Sequence, residues 1–347
     1  MFPQLGDTIA WLPLASLPTP VQKFSVVDDA WIKRDDLSAT PYGGNKVRKL
    51  EYLLADAQRK KSKRLITVGA AGSHHALATT IYGKRLGFDV TLVLFPQPLT
   101  AHVKQILLLD QAYGAELRYT RRMELVPAAL FTTTVKYRNQ NAYVIPAGGS
   151  DAVGTLGYID AALEFAEQVK NGEAPAPKTV IVAAGTLGTA AGLAIGFTLA
   201  GLDAEVHAVR ITSRLVTNER ALARLIRDTQ TLLRRAGANV DFAEPAIARA
   251  RLIHEHIGPG YGKETKGGAA ATELFAAQGI HLDPTYTAKA AAALMASASS
   301  LPKPILFWQT LSAAEPIEKL THVTEADLPA PFRAYLAEEQ TNPVGAK

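Results

Sequence analysis

The stretch TVIVAAGTLGTAAGLAIGFTLAG (residues 179–201) carries no charged residue and contains three kinds of local pattern. It begins with a β-branched run typical of a buried strand, continues with the turn GTLG (185–188), and ends in small and apolar residues at helical spacing. Gly188, Gly192 and Gly196 also match the spacing of glycines in pairs of membrane helices. A buried strand–turn–helix unit nevertheless explains the whole stretch better than a membrane span does.

Six further strand-like runs occur along the chain, with helical patterns between them. This alternation is typical of βαβ units, in which a parallel sheet is covered by helices on both faces. The sequence therefore predicts an α/β fold with mainly parallel sheets. The six runs are RLITVG (64–69), DVTLVLF (89–95), ELRYT (116–120), AYVIPAGG (142–149), EVHAVRI (205–211) and PILFWQT (304–310).

Open α/β sheets bind ligands beyond the carboxyl ends of their strands, so the loops that follow the strands are the candidate sites. In AAGTLGTAAG (183–192), Gly185 and Gly188 let backbone N–H groups turn inward at a helix N-terminus, and Thr186 and Thr189 add hydroxyls. Such a loop binds phosphate through its N–H donors and the helix dipole. It matches neither the dinucleotide-binding fingerprint nor the P-loop. The alternative is close packing of helix on sheet through glycine.

A lysine follows Gly-Gly-Asn in ATPYGGNKVRKLEYLLADAQ (39–58). The apolar residues Val47, Leu50 and Leu54 have the spacing of one buried helical face, so Lys46 stands at the head of a predicted helix. An acid or a hydroxyl cap would suit that position better than an amine does. Two interpretations are open: a solvated lysine on a loop, or an amine held in a cleft to form a Schiff base.

A second glycine turn leads into a helix in GAAGSHHALATTI (69–81). Ser73 falls at the N-cap position, and the amides after it suit a carboxylate. His74 and His75 are adjacent and point in different directions, with no Glu or Asp placed to complete a metal site. No bound metal is therefore expected.

Two tyrosines and one threonine occupy further loops. Tyr286 stands in a turn within HLDPTYTAKA (281–290), and Tyr261 lies in the glycine-rich GPGYGKET (258–265). Thr310 ends the strand-like run 304–310. Tyrosines of this kind are commonly half-buried with a satisfied hydroxyl, so these positions carry little weight on their own.

The composition of the 347 residues is that of an ordinary globular protein. Thirty-seven basic and 32 acidic residues give a net charge of +5, and the densest basic run, RKKSKR (59–64), is best read as a solvated helix end. No nucleic-acid or membrane partner is therefore expected. The chain has no cysteine, which excludes disulfides and a thiol nucleophile and is compatible with the cytoplasm. The first twenty residues do not have the pattern of a signal peptide.

Taken in order, these segments resemble the pyridoxal-phosphate enzymes of the tryptophan synthase β-subunit fold (fold type II). Within that superfamily they resemble the family of 1-aminocyclopropane-1-carboxylate deaminase and D-cysteine desulfhydrase. The resemblance covers nearly the whole chain; KRDDLS with GGNKxRKLE is highly specific, and the glycine loop is less so. The segments are LPTPVQKF (17–24), WIKRDDLS (31–38), GGNKVRKLEYLL (43–54), GSHHALAT (72–79), PAGGSDAVGTLGYIDAALE (146–164), GTLGTAAGLAIG (185–196), GYGKET (260–265) and LDPTYTAKA (282–290).

This resemblance implies a two-domain enzyme with pyridoxal 5'-phosphate in the cleft between the domains. The large cofactor-binding domain would comprise residues 1–51 and 158–347, and a smaller α/β domain, 52–157, would be inserted in it. Chain order agrees, because Lys46 precedes the insertion and the phosphate loop follows it. The resemblance alone implies a homodimer.

The resemblance also implies which residues bind the cofactor. Lys46 would hold it as a Schiff base and then move the α-proton of the substrate. Lys49 matches a family lysine near the phosphate, and His74 replaces an asparagine that meets the phenolic oxygen of the cofactor. The phosphate loop would contribute Gly185, Thr186, Leu187, Gly188 and Thr189, with Leu187 standing where the family commonly has a small residue.

The substrate would be a small amino acid. By the same resemblance, Ser73 and the amides of His74 and His75 would hold its carboxylate, and Ser73 would also exchange protons. Tyr286 and Tyr261 would face the substrate as acid–base or nucleophile-positioning groups.

Two positions bear on the subgroup. Deaminases of the family carry Glu facing the pyridine nitrogen where this chain has Thr287, whereas desulfhydrases carry Thr there and a second Thr matched by Thr310. A hydroxyl stabilises a pyridinium less than a carboxylate does, which favours elimination of a good β-leaving group. We therefore expect β-elimination from a D-amino acid such as D-cysteine, giving pyruvate and ammonia. Leu311 and Ser312 replace the usual Gly-Gly, which bears on the choice of substrate.

Three alternatives remain open at this point. The cofactor could serve cyclopropane deamination, or elimination or racemisation on another amino acid. The chain could instead be a non-catalytic homologue that binds the cofactor or another small ligand for regulation. A nicotinamide oxidoreductase fits the sheet but lacks its fingerprint loop.

Overall fold

The computed structural model describes residues 8–341, except for the side chains of 339–341. Contacts divide them into two compact units, the first formed by 8–52 and 150–314 and the second by 53–149 and 315–341. The predicted large domain includes residues 158–347, whereas 315–341 group here with the second unit. The domain boundaries drawn from the sequence stay a prediction, and their residues 1–7 and 342–347 lie outside the described part.

The residues that the structure describes form ten strands and eleven helices, with short 3-10 turns between some of them. The strands are β1 (Val21–Phe24), β2 (Ala30–Arg34), β3 (Arg64–Ala70), β4 (Asp89–Phe95), β5 (Glu116–Tyr119), β6 (Tyr143–Ile145), β7 (Thr179–Ala184), β8 (Glu205–Arg210), β9 (Ala250–Ile253) and β10 (Ile305–Gln309). The helices are α1 (Asn45–Arg59), α2 (His74–Arg85), α3 (Ala101–Ala112), α4 (Val126–Lys136), α5 (Ala152–Lys170), α6 (Gly188–Leu199), α7 (Glu219–Arg235), α8 (Ala243–Arg249), α9 (Lys266–Ala276), α10 (Thr287–Ser297) and α11 (Ala330–Thr341).

The first unit is built on a sheet with the strand order β1-β2-β10-β7-β8-β9. Only β1 and β2 pair antiparallel in it; the remaining neighbours are parallel. Alternate side chains of β7 enter opposite apolar cores, because successive residues of a strand point to opposite faces. Val180 and Val182 pack with helices α5, α6 and α7, whereas Ile181 and Ala183 pack with α9 and α10. Helices therefore cover both faces of this sheet.

The second unit contains a sheet of parallel strands in the order β5-β4-β3-β6. The central strands β3 and β4 are mostly buried, as their continuous apolar sequences predict. Together the two sheets confirm the predicted α/β class with mainly parallel strands.

The seven predicted strands are all present, with ends that differ by up to four residues. Strands β1, β2 and β9 were not predicted. Strand β2 reads AWIKR, and the charges of Lys33 and Arg34 hide its strand character, although Lys33 is fully buried. No helix in residues 8–341 is long and apolar enough to cross a membrane, and residues 179–201 form β7, a turn and α6.

A buried ion pair links the end of β2 to the start of α1. The Arg48 guanidinium donates to both oxygens of Asp35, at 2.8 and 3.0 Å, and to both oxygens of Glu164, each at 3.0 Å. Burial alone would raise the pKa of Asp35, but Arg48, together with Lys33 and Trp308, holds that pKa below its usual range. Because Arg48 is two residues beyond Lys46, this pair fixes the part of α1 that carries the candidate lysine.

We expect Arg48→Met to destabilise the first unit strongly. The substitution keeps most of the side-chain volume but leaves the Asp35 and Glu164 carboxylates without their cation in a site where Arg48 is 1% exposed. Breaking a buried pair in this way costs about 3–5 kcal/mol. Urea denaturation followed by circular dichroism measures the free energy of unfolding.

Arg235→Met, at an exposed arginine near the end of α7, is the matched control and should leave the unfolding free energy nearly unchanged. Equal stability of the Arg48 and Arg235 variants would show that the buried pair does not hold α1 in place.

Candidate active site

The backbone before Lys46 is held at two points. Gly44 has a φ of +79°, a conformation that favours glycine, and its N–H donates to the carbonyl of Asp35 at 2.9 Å. The N–H of Asn45 donates to the carbonyl of Thr310 at 3.0 Å. A side chain at Gly44 would place its Cβ 2.6 Å from that same Thr310 oxygen. The start of α1 therefore lies against the carboxyl end of β10.

Lys46 is joined to the glycine loop through its neighbour. Its Nζ donates to Asn45 Oδ1 at 2.5 Å, and Asn45 Nδ2 donates to Thr189 Oγ1 at 3.0 Å. Burial lowers the pKa of Lys46 to about 8, against an opposing effect of the Asp283 carboxylate. A larger fraction of Lys46 than of an ordinary lysine is therefore a neutral, nucleophilic amine near neutral pH, although the ammonium form still predominates.

The glycine loop meets a second lysine at Ser150. Lys49 Nζ donates to Ser150 Oγ at 3.0 Å, and the N–H of Gly188 donates to the same oxygen at 3.2 Å. Thr186 Oγ1 lies 2.7 Å from Ser150 Oγ. Burial and the neighbouring Lys46 hold the pKa of Lys49 well below its usual range.

Close backbone approach requires glycine in this loop. A Cβ at Gly188 would lie 2.7 Å from Ser150 Oγ and 2.9 Å from Lys49 Nζ. Leu187, directly before it, has a φ of +71°, which is rare for a leucine and turns the backbone into the start of α6. The loop, Ser150 and Lys49 thus bring N–H, hydroxyl and amine groups close together, a set of donors suited to an anion.

The two predicted tyrosines meet each other. Their hydroxyl oxygens are 2.8 Å apart, and their rings pack edge to face. Burial raises the pKa of Tyr261 to about 12 and also raises that of Tyr286, so both stay protonated at neutral pH. Lys46 Nζ lies 6.0 Å from the centre of the Tyr286 ring, and a Cβ at Gly185 would lie 3.0 Å from that ring. The tyrosine pair therefore lies near both Lys46 and the glycine loop.

Thr287 is tied to an aspartate in the turn before α10. Its hydroxyl donates to Asp283 Oδ2 at 2.8 Å and accepts the Asp283 N–H at 2.8 Å. The carboxylate also accepts the N–H groups of Thr285 and Tyr286, which precede α10, and of Thr287, its first residue. Asp283 thereby fixes the position of Tyr286 at the helix start.

The predicted residues Ser73, His74 and His75 belong to the second unit. Ser73 caps α2, as the sequence predicts, by accepting the Ala76 N–H at 3.2 Å, which leaves its own hydroxyl proton free for another acceptor. His75 is buried, and its Nε2 lies 3.0 Å from Thr67 Oγ1 in β3. The His75 side chain therefore packs within this unit.

His74 has a partner that the sequence did not reveal. Its Nε2 lies 3.1 Å from Nε2 of His102 at the start of α3, and the two rings are 4.9 Å apart. One ring must donate and the other accept in this contact. The described residues contain no group of three or more His, Cys, Asp or Glu side chains that could hold a metal ion.

The structure brings together the predicted residues of the first unit in one group around Lys46, and it adds three polar residues that the sequence did not single out. The predicted members are Lys46, Lys49, Gly185, Thr186, Leu187, Gly188, Thr189, Tyr261, Tyr286, Thr287 and Thr310. The added members are Asn45, Ser150 and Asp283. Of these only Asp283 had a local signal, the Asp-Pro turn before a helix.

Comparisons with known proteins give a family model and relatives that match most of this chain. A family model described as "Pyridoxal-phosphate dependent enzyme" matches residues 7–310. D-cysteine desulfhydrases of Klebsiella pneumoniae and Salmonella schwarzengrund are each 35% identical to this chain over 297 residues, which is 82% of this chain and 87% of the relative.

Solved structures are similar as well. A structure described as an ACC deaminase homologue has a TM-score of 0.78 at 33% identity and covers 90% of this chain and 96% of its own. The processed form of threonine deaminase isoform 2 from Solanum lycopersicum has a TM-score of 0.60 at 17% identity, with 89% of this chain and 88% of that chain covered. The second likeness supports the fold alone.

Lys46 should react as an amine of unusually low pKa. Because burial disfavours its ammonium form, the rate of reductive methylation at Lys46 should rise with pH through about 8 and then level off. An ordinary exposed lysine becomes more reactive up to roughly pH 10.4. Peptide mass spectrometry after brief formaldehyde and cyanoborohydride treatment gives the rate at each lysine.

The exposed Lys23 of β1 is the internal control in the same digest. Parallel pH profiles for Lys46 and Lys23 would contradict a lowered pKa at Lys46.

Proposed function

Because this chain belongs to the pyridoxal-phosphate dependent enzymes, we propose that it catalyses β-elimination on a small amino acid, with D-cysteine as the leading candidate. The Cα–H and Cβ–S bonds of D-cysteine break, sulfide leaves, and water then replaces the nitrogen to give pyruvate and ammonia. One observation carries the proposal: a lysine of lowered pKa is linked through Asn45 to the glycine loop.

Family membership confirms the predicted cofactor, the predicted fold type and the stated resemblance. It disfavours the nicotinamide alternative. The two desulfhydrase relatives support elimination from D-cysteine, and the structural relative described as an ACC deaminase homologue supports the second candidate, deamination of 1-aminocyclopropane-1-carboxylate.

The residues present fit pyridoxal phosphate. The cofactor needs a lysine for covalent attachment and a pocket for its phosphate. Lys46 supplies the amine, and the cradle at Gly188, where Ser150 and Lys49 would meet any added Cβ, supplies donors for the phosphate. We propose that Gly185 and residues 186–189 bind the phosphate with Ser150 and Lys49. When bound, the cofactor supplies a conjugated ring that accepts the electron pair of the broken Cα–H bond.

Lys46 has a second proposed role as the base that takes the Cα proton. A general base works best when its pKa lies near the working pH, and a pKa of about 8 meets that condition better than that of an ordinary lysine. Asn45 orients the amine by accepting a hydrogen bond from it. The hydrogen bond from Asn45 to Thr189 fixes that orientation relative to the glycine loop.

The tyrosine pair is proposed to serve the leaving group. Burial keeps both hydroxyls protonated at neutral pH, so the pair holds a proton that it can deliver to a departing thiolate. The 2.8 Å contact lets one hydroxyl replace the proton that the other gives away. Tyr286 and Tyr261 therefore act as one acid–base unit in this proposal.

Residues of the second unit are proposed to bind the substrate carboxylate. The first N–H groups of a helix have no partner within it and suit an anion. The Ser73 oxygen accepts a hydrogen bond when it caps α2, and its hydroxyl can still donate one. In this proposal the hydroxyl and the amides of His74 and His75 all donate to the carboxylate. His74, oriented by His102, is proposed to meet the phenolic oxygen of the cofactor.

The threonines at the proposed nitrogen-facing positions favour a good leaving group. The Thr287 hydroxyl donates a hydrogen bond to Asp283 and carries no charge. It therefore stabilises a protonated ring nitrogen less than Glu would. With Thr310, it leaves the cofactor a weaker electron sink in this proposal. Thiolate is a better leaving group than the carbon of a cyclopropane, which is why D-cysteine precedes 1-aminocyclopropane-1-carboxylate.

Absorption spectroscopy of the purified enzyme tests cofactor and substrate together. With pyridoxal phosphate, wild type should show the visible band of lysine-bound cofactor, Lys46→Ala should lack it, and Ser150→Ala should need roughly ten times more cofactor because a charge-assisted hydrogen bond is lost. D-cysteine should then release pyruvate and sulfide from wild type, with much less from 1-aminocyclopropane-1-carboxylate.

Ser300→Ala, at an exposed serine of the first unit, is the control and should titrate like wild type. A band without pyruvate from D-cysteine would reject the proposed substrate and keep the cofactor. Release of 2-oxobutyrate from the cyclopropane substrate would establish the second candidate, and no turnover of any D- or L-amino acid would favour a regulatory homologue.

We also propose that the enzyme is a homodimer in the cytoplasm, as the resemblance implies. Light scattering of the purified protein should give twice the mass of the 37.1 kDa chain. The mass of one chain would contradict the dimer, and recovery with the membrane or secreted fraction of its host would contradict the location.

A further inference from the structure

The loop that carries Tyr261 lacks regular structure and is rich in glycine. It follows the 3-10 turn Glu255–Ile257, and Gly258, Gly260 and Gly262 all have positive φ, at +62°, +137° and +72°. Glycine gives a chain more conformational freedom than any other residue, so such a segment is costly to hold in one conformation. The 2.8 Å contact between Tyr261 and Tyr286 nevertheless requires one defined position of the loop.

A buried lysine donates hydrogen bonds to the backbone of this loop. Lys289 lies in α10, three residues after Tyr286, and is 0% exposed. Its Nζ donates to the carbonyl of Ile257 at 2.8 Å and to the carbonyl of Gly260 at 2.7 Å. These two carbonyls stand on the N-terminal side of Tyr261, one of them at the adjacent residue.

We propose that Lys289 is the positioning residue for Tyr261: it anchors the glycine-rich loop so that the Tyr261 hydroxyl meets that of Tyr286. This rests on the proposed function, in which the two tyrosines act as one acid–base unit. Tyr286 is the N-cap residue of α10, and Lys289 lies three residues later, in the first turn of the helix. The start of one helix therefore holds Tyr286 and also the amine that positions Tyr261.

The chemistry of a lysine suits this task. A long side chain with several donors can reach two carbonyls of an adjacent loop, and each carbonyl would otherwise be left without that partner. Burial lowers the pKa of Lys289, and the nearby Asp283 carboxylate opposes that effect. The same carboxylate fixes the start of α10, so Asp283 and Lys289 together connect the helix start with the loop.

The test uses Lys289→Met, which keeps the length of the side chain and removes its donors. Hydrogen–deuterium exchange of the protein without substrate should become faster in the peptide 257–263 and stay unchanged in β7. In the enzyme loaded with pyridoxal phosphate, kcat for D-cysteine should fall roughly tenfold or more, as misplacement of a catalytic group does, with little change in KM. In a Tyr261→Phe background, Lys289→Met should lower kcat no further.

Lys303→Met is the matched control, because Lys303 is a half-buried lysine of the same unit that pairs with Asp28 at the surface. Lys289→Gln keeps a donor, so its kcat and its exchange rate should lie between those of Lys289→Met and wild type. It serves as the test variant if Lys289→Met does not fold. Unchanged exchange in 257–263, or equal losses of kcat with and without the Tyr261 hydroxyl, would overturn the proposal. Exchange is measured without substrate, so a failure of D-cysteine as substrate does not affect that arm.

Discussion

The ion pair between Asp35 and Arg48 is the interaction on which the first unit depends. Asp35 accepts from Arg48 in α1, from Tyr158 in α5 and from Trp308 in β10, and its carbonyl accepts the N–H of Gly44. One buried carboxylate thus connects two strands and two helices. A buried charge is costly unless every lone pair has a partner, and these donors meet that requirement.

This constraint decides the chemistry of the lysine. Arg48 and the backbone of Asp35 hold α1 so that its first turn lies against Thr310, and burial there lowers the pKa of Lys46. A helix N-terminus also disfavours a positive charge through its dipole. The burial of an amine at the head of a helix therefore accounts for the lowered pKa of Lys46.

The sequence predicted what periodicity and local motifs encode. The main parallel strands, the Ser73 cap and the glycine loop followed from short patterns, whereas Lys49 and Thr287 were predicted from the family resemblance. Strand β2 was missed because its charged Lys33 is buried only through partners elsewhere, including Glu164, 131 residues later. Ser150 was missed for the same reason, since its bond to Lys49 spans 101 residues and no local pattern marks it.

Charge balance ties these residues into one reactive group. Burial lowers the pKa of both Lys46 and Lys49, because it disfavours their ammonium forms. The Asp283 carboxylate opposes this effect on the pKa of Lys46, and Asp151 opposes it on that of Lys49. A phosphate brought beside Lys49 offsets the burial that disfavours its ammonium form. The site is therefore poorly suited to two fixed positive charges until an anion enters, and Lys46 loses its proton more readily than an exposed lysine does. The same burial thus lowers the pKa of both lysines and underlies the proposed binding of an anionic cofactor beside them.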